Sequence, residues 1–175
     1  MKTKTLAGSA ILGSLVIVID YLMKYSGLKI PFPWLPYLKF DFTGVPIVLS
    51  LLFFGLTSGA TTSTIAFLAI LIRSGDVVGA SMKAVAEFAT ILGMAISAKL
   101  LKKSSRFEKG ISLMSGVTCR TVIMFFANLM IISIYLSPLI AAFNVIQGAI
   151  SILLAYFIHS TIIHRAHLFA VATEN

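Results

Sequence analysis

The sequence predicts an all-α integral membrane protein, a bundle of six transmembrane helices. Three observations carry that prediction. The mean hydropathy is +1.00. Hydrophobic residues fill 58% of the 175 positions and charged residues only 11%, against about 25% in an ordinary soluble domain. The few charges fall in short interruptions between long apolar runs, which is how bilayer-spanning chains distribute polarity.

The first run, residues 6 to 23, follows Lys2 and Lys4 and resembles a secretory signal, yet no small-x-small cleavage site comes after it. The chain continues Asp20, Tyr21, Leu22, Met23, Lys24, so the run reads as a retained first helix. It carries Ser9 with Gly13 and Ala10 with Ser14, two small-xxx-small pairs that let another helix approach, in this chain or in another subunit. Residues 24 to 41 form the longest link on their side of the membrane. Pro31, Phe32, Pro33, Trp34, Pro36 and Tyr37 make it a stiff loop with an aromatic belt at the interface.

Spans two and three are placed at 43 to 56 and 58 to 73. As one helix the 31 residues from 43 to 73 would extend about 46 Å, too long for a hydrocarbon core of about 30 Å, so two short helices are expected. Pro46, close behind Asp41 and Thr43, suits a first helical turn, where its missing N–H costs nothing. Span four covers 80 to 101 and span five 110 to 134. Between them Lys102, Lys103, Ser104, Ser105, Arg106, Glu108 and Lys109 form a solvated loop. Pro138 after Ser137 opens span six, 138 to 163. A single transmembrane domain over residues 1 to 175 is expected, with no internal repeat or low-complexity tract.

The formal net charge of +8 follows from topology rather than from a nucleic-acid partner, because the basic residues form no stripe interleaved with exposed aromatics. With the amino terminus inside, eight basic residues fall on the inner face: Lys2, Lys4, Lys99, Lys102, Lys103, Arg106, Lys109 and Arg165. Five fall on the outer side or its borders: Lys24, Lys29, Lys39, Arg73 and Lys83. The positive-inside rule then predicts a multi-pass cell-membrane protein with both termini cytoplasmic.

No catalytic pattern is present: no paired-His metal motif, no Gly-x-Ser-x-Gly elbow and no phosphate-binding glycine loop. The reading is a non-enzyme with no cofactor. His159, His164 and His167 lie near the inner end of span six without further ligands, and Cys119 sits in an apolar run, so no metal site or disulfide is expected. Lacking nucleotide-binding machinery, the chain needs a separate motor or an ion gradient for uphill transport.

Polar side chains at membrane depth are costly and face a cavity or a partner. Here they are Lys83, Glu87, Arg120, Asn128, Asn144 and Gln147. Counted from the expected outer helix ends, Glu87, Asn128 and Asn144 each lie about 9 to 11 Å deep, so three helices offer hydrogen-bonding groups at one level. Lys83 with Glu87, and Asn144 with Gln147, are a helical turn apart and concentrate polarity on single faces. A polar pocket opening outward is the expectation. Arg120, about 20 Å deep by the same count, is assigned to another level.

Four segments resemble the substrate-binding S components of energy-coupling factor (ECF) vitamin transporters, in their riboflavin-type branch. Asp41, Phe42, Thr43, Gly44, Val45, Pro46 is similar to that branch's Asp-Phe-Ser-Asp-x-Pro start of the second helix, with Gly55 and Gly59 in place of its Gly-Pro-x-x-Gly turn. Ala86, Glu87, Phe88, Ala89 resembles its Gly-Glu-Leu-Ala-Asn run. Asn128 and Leu129 resemble its Asn-Tyr in the fifth helix, and Phe143 to Gly148 its Phe-Asn-Leu-Ile-Lys-Gly in the sixth. The departures are Gln147 for lysine, Thr90 for asparagine, Gly44 for aspartate and Leu56 for proline.

The resemblance implies an outward-facing vitamin pocket and docking on a transmembrane T component that carries two ATPase subunits. It assigns Ser9, Ala10, Gly13 and Ser14 to that docking, and Glu87, Asn128 and Asn144 to the ligand. Added to these as substrate-binding candidates are Lys83, Gln147, and Trp34 and Arg73 in the loops above the pocket. Riboflavin or a similar small heteroaromatic vitamin is the ligand so implied. Two other classes stay open at this level: a small secondary transporter with Glu87 as its proton site, and a structural or assembly protein whose polar residues only knit helices together.

Overall fold

A computed structural model describes residues 3–100, 107–131 and 134–172, with side chains as far as residue 166. Lys2, the Lys102 to Arg106 cluster and the His167 side chain lie outside the described residues. The described chain forms helices α1 (Thr3–Tyr25), α2 (Gly44–Phe54), α3 (Leu56–Ser74), α4 (Val77–Leu100), α5 (Glu108–Ile131) and α6 (Ser137–Ala172). Between α1 and α2 stand two strands, β1 (Ile30–Phe32) and β2 (Leu35–Phe40).

Five of the helices, α1, α3, α4, α5 and α6, have the length and hydropathy to cross a membrane. The sixth, α2, has 11 residues, about 16 Å of helix, so it traverses about half of the hydrocarbon core. It lies at the centre of the bundle, touching α1, α3, α4 and α6, and every residue from Gly44 to Ser50 is buried. A helix apolar on all sides has to be wrapped by protein or lipid. Here Val45, Ile47, Val48 and Leu49 meet Val16, Ala66, Ile91, Met94, Ile152 and Ala155.

The division between α2 and α3 rests on one residue. Gly55 adopts φ 88° and ψ −179°, a region that only glycine occupies without strain, and its N–H still donates to Leu51 O at 2.9 Å. Hydroxyls join α1, α2 and α3 just beyond this break: Ser58 Oγ meets Ser9 Oγ at 2.5 Å and Ser50 Oγ at 2.7 Å, while Thr62 Oγ1 donates to Ser50 Oγ at 2.9 Å. Such bonds between helices are worth about 1 kcal/mol each in a bilayer.

The two small-residue pairs of α1 part company. Ser9 is buried in that hydroxyl cluster and Gly13 is closed over by Ile65 of α3, so neither is on the surface. Ala10 and Ser14 face outward. Of the four residues expected to serve docking, Ser9 and Gly13 pack α1 against its own bundle, and Ala10 and Ser14 remain on the surface.

The expected stiff loop at 24 to 41 is an antiparallel hairpin. Ile30 pairs with Phe40, Pro31 with Lys39 and Phe32 with Leu35, the register slipping between Pro31 and Phe32, and Pro33 and Trp34 form the turn. Proline cannot donate to a sheet ladder, which argues against strands at this composition, but a two-stranded ribbon consists of edges and tolerates it. The hairpin folds over the start of α6. Phe32, 1% exposed, meets Phe143 edge to face with ring centroids 5.5 Å apart, and Phe40 meets Phe143 at a tilt with centroids 4.9 Å apart.

Candidate functional site

Beneath the hairpin lies a cavity of about 460 Å³, within the range of about 300 to 1,000 Å³ typical of small-molecule sites. Tyr37, Leu38 and Lys39 of β2 cover one side. Asp76 stands just ahead of α4, and Val78, Gly79, Met82, Lys83 and Ala86 come from its first turns, Met124, Asn128 and Ile131 from α5, and Ile140, Phe143 and Asn144 from α6. Asp41 and Arg120 complete the lining. The cavity therefore opens at the hairpin end of the bundle, where α4 and α6 begin and α5 ends.

The polar groups of its floor form a chain of alternating charge. Lys83 Nζ donates to Asp41 Oδ1 at 2.6 Å and lies 3.2 Å from Glu87 Oε1. Arg120 Nη1 approaches the same Glu87 oxygen at 3.0 Å. Arg120 also donates through Nε to Asn144 Oδ1 at 3.0 Å and through Nη1 to Thr90 Oγ1 at 3.2 Å. Glu87 and Thr90 are 0% exposed and Arg120 2%. Charges this deep persist only when paired and hydrogen-bonded.

Asp41 precedes α2 and lies outside the spanning helices. Its Oδ1 accepts from Thr43 Oγ1 at 2.8 Å and from Thr43 N at 3.3 Å, an Asx turn that starts the helix where Pro46 needs no donor. Burial pushes its carboxyl up, and the Lys83 ammonium, with Lys29 farther off, more than offsets this, so Asp41 is held below its ordinary value.

Lys83, Asn128 and Asn144 line the cavity, whereas Glu87 sits behind it, covered by Lys83 and Arg120. Gln147 is also absent from the lining: its Nε2 donates to the Asp41 carbonyl oxygen at 2.7 Å, fastening the link ahead of α2 to α6. Trp34 stands at the hairpin turn, 66% exposed, against Phe32. Arg73 turns away to Asp20. Conversely Arg120, assigned to another level, reaches the cavity. Counting Cα positions overlooked the length of its side chain, which carries the guanidinium well away from its own turn.

No protein-family model matches the chain. A solved structure described as the S component of a bacterial ECF transporter shares the fold, with a TM-score of 0.83 over 95% of this chain and 99% of that one, at 21% identity. The riboflavin transporter FmnP of Bacillus subtilis (strain 168) is 30% identical over 135 residues, 75% of this chain and 68% of that protein. The chain belongs to the riboflavin-type S components.

In this S component two carboxylates central to the hairpin end were absent from the polar set read from sequence. The sequence marks Asp41 as a helix cap within the segment that opens α2, whereas in the structure it lines the cavity and pairs with Lys83. Asp20 lies inside the first apolar run and is 0% exposed, held by Lys29 and Arg73 at 2.8 and 2.5 Å. A lone aspartate within a hydrophobic run was the available signal. The aromatic cover, Phe32, Phe40 and Phe143, carried no such signal, because it arises from the hairpin's register on α6.

Proposed function

We propose that this S component is the vitamin-binding subunit of an ECF-type importer and that its cavity takes riboflavin or a similar small heteroaromatic vitamin. The observation that carries the reading is convergence: Lys83, Arg120, Asn128 and Asn144, from three different helices, meet on one cavity of suitable volume beneath an aromatic cover. The riboflavin transporter to which the chain is related supports the choice of ligand.

On this reading the hairpin end faces outward and both termini face the cytoplasm, as the excess of basic residues on the opposite side supports. The ligand is held by hydrogen bonds and ring contacts without covalent chemistry, so the subunit is not an enzyme. Import needs a T component and two ATPase subunits, against which the chain reorients and releases its ligand inward. Ala10 and Ser14, exposed on α1, are the part of the small-residue pattern open to such a partner. Glu87, the proton site of a self-sufficient transporter, is sealed beneath Lys83 and Arg120, which speaks against that rival.

Equilibrium binding to the purified chain in nanodiscs tests the proposal. Riboflavin is expected to bind at one site per chain with nanomolar to micromolar affinity, and mass spectrometry is expected to find a heteroaromatic vitamin carried through purification. Folded protein that retains and binds no vitamin from a broad panel would overturn it.

A further inference from the structure

Charge is distributed unevenly around the cavity floor. Glu87 is fully buried, and the two cations beside it share its Oε1. The cations line the cavity and Glu87 does not. Because Lys83 and Arg120 approach one oxygen, their donor groups stand side by side. Two carboxylates share the lining: Asp41, whose Oδ1 accepts from Lys83 Nζ and Thr43 Oγ1, and Asp76, whose Oδ1 accepts from Gly79 N and which stands about two helical turns nearer the hairpin end than Lys83. Asn144 is committed on both ends, its Oδ1 to Arg120 Nε at 3.0 Å and its Nδ2 to Ile140 O at 2.9 Å. At the level of Glu87 the floor thus offers an incoming ring the N–H donors of Lys83 and Arg120, backed by the Glu87 carboxylate and flanked on the Lys83 side by Asp41.

We infer, building on the vitamin-binding reading, that Lys83 and Arg120 are specificity residues selecting a ring edge of hydrogen-bond acceptors, such as a pyrimidine dione, over one bearing amino groups. Lysine and arginine donate and never accept, so ring carbonyls satisfy them. An amino group at the same place would turn donor toward donor. It would also leave a buried cation short of an acceptor, which costs more than a lost neutral bond. The Arg120 guanidinium is held in one orientation by Glu87, Asn144 and Thr90, so it cannot turn to suit a different edge.

Three ligands test this on purified chain in nanodiscs by titration calorimetry: riboflavin, dimethyllumazine (a pteridine dione), and diamino-dimethylpteridine, in which both carbonyls are replaced by amino groups. The wild type is expected to bind riboflavin and to prefer the dione over the diamine by about 30-fold, the size of a charge-assisted hydrogen bond gained and lost. Two charge-balanced double variants guard against an unpaired buried ion: Glu87→Gln with Arg120→Gln, and Lys83→Met with Asp41→Asn. In either one that folds, the preference is expected to fall to about threefold or less. An undiminished preference in a folded variant overturns the inference, as does a wild type that binds riboflavin but holds both pteridines equally. A wild type that binds no riboflavin overturns the underlying reading and this inference with it.

Discussion

Asp20 of α1 and Arg73 of α3 form an ion pair, Oδ2 to Nε at 2.5 Å, in which the carboxylate has no exposure and the guanidinium little. Lys29, just ahead of β1, reaches the other oxygen of Asp20 at 2.8 Å. One buried carboxylate therefore joins two helices to the foot of the hairpin. Substituting Asp20→Asn leaves both cations without their counterion and is expected to cost about 3 kcal/mol. Thermal unfolding in detergent should show the loss, and adding Arg73→Gln should restore part of it. An unchanged transition in D20N would show that the triad contributes no stability.

The break between α2 and α3 is expected to be intolerant of side chains for backbone reasons alone. A Cβ at Gly55 meets nothing within 4 Å, yet its φ of 88° lies where only glycine is at ease. Gly55→Ala should cost about 1 to 3 kcal/mol with vitamin affinity nearly preserved in the folded fraction. Thermal midpoints read beside binding constants check this.

Phe143 joins the cavity wall to its cover, touching both Phe32 and Phe40. Phe143→Ala is expected to cost about 3 to 5 kcal/mol in stability and to speed vitamin release by freeing the hairpin. Stopped-flow dissociation should show a faster off-rate with a smaller change in on-rate.

Asn128→Ala and Asn144→Ala should each weaken vitamin binding. Asn144→Ala is expected to have the larger effect, about tenfold or more, because it also removes the acceptor that orients Arg120 Nε. Titration of the two variants in parallel compares them directly. Equal affinities in both variants and the wild type would remove these amides from the site.

The pH response has a definite sign at Asp41. Its folded carboxyl is depressed below the ordinary value of 3.8, so the stability it contributes is fully present above that value and is lost as the pH falls through the lower folded value. Its contribution should therefore be flat across neutral and mildly acidic pH and fade only in strong acid. Asp41→Asn should flatten the acid limb of a stability-against-pH curve. An acid limb unchanged in D41N would assign that loss to other groups.

The six helices were legible because hydropathy and punctuation both act locally. Asp41 with Pro46, and Ser137 with Pro138, mark helix starts within a residue or two of those observed. The depth count brought Asn128 and Asn144 to one level because helical rise is constant. What lay hidden depends on contacts distant in sequence. The hairpin forms against α6 despite Pro31 and Pro36. Arg73 pairs with Asp20, 53 positions away, rather than with the cavity, and no local pattern announces so distant a partner. Glu87 fell behind the wall because two cations meet on one of its oxygens.

The Asp41, Lys83, Glu87 and Arg120 cluster contains two anions and two cations, closed by ion pairs within one chain. Displacing one uncompensated unit of charge through a membrane voltage involves about 2.3 kcal/mol per 100 mV. In the import proposed above, a self-cancelling quartet carries an uncharged cargo through that field with almost no electrical work from these groups. On that proposal, voltage neither drives nor opposes the movement of the floor, and its direction is left to the proposed ATPase subunits.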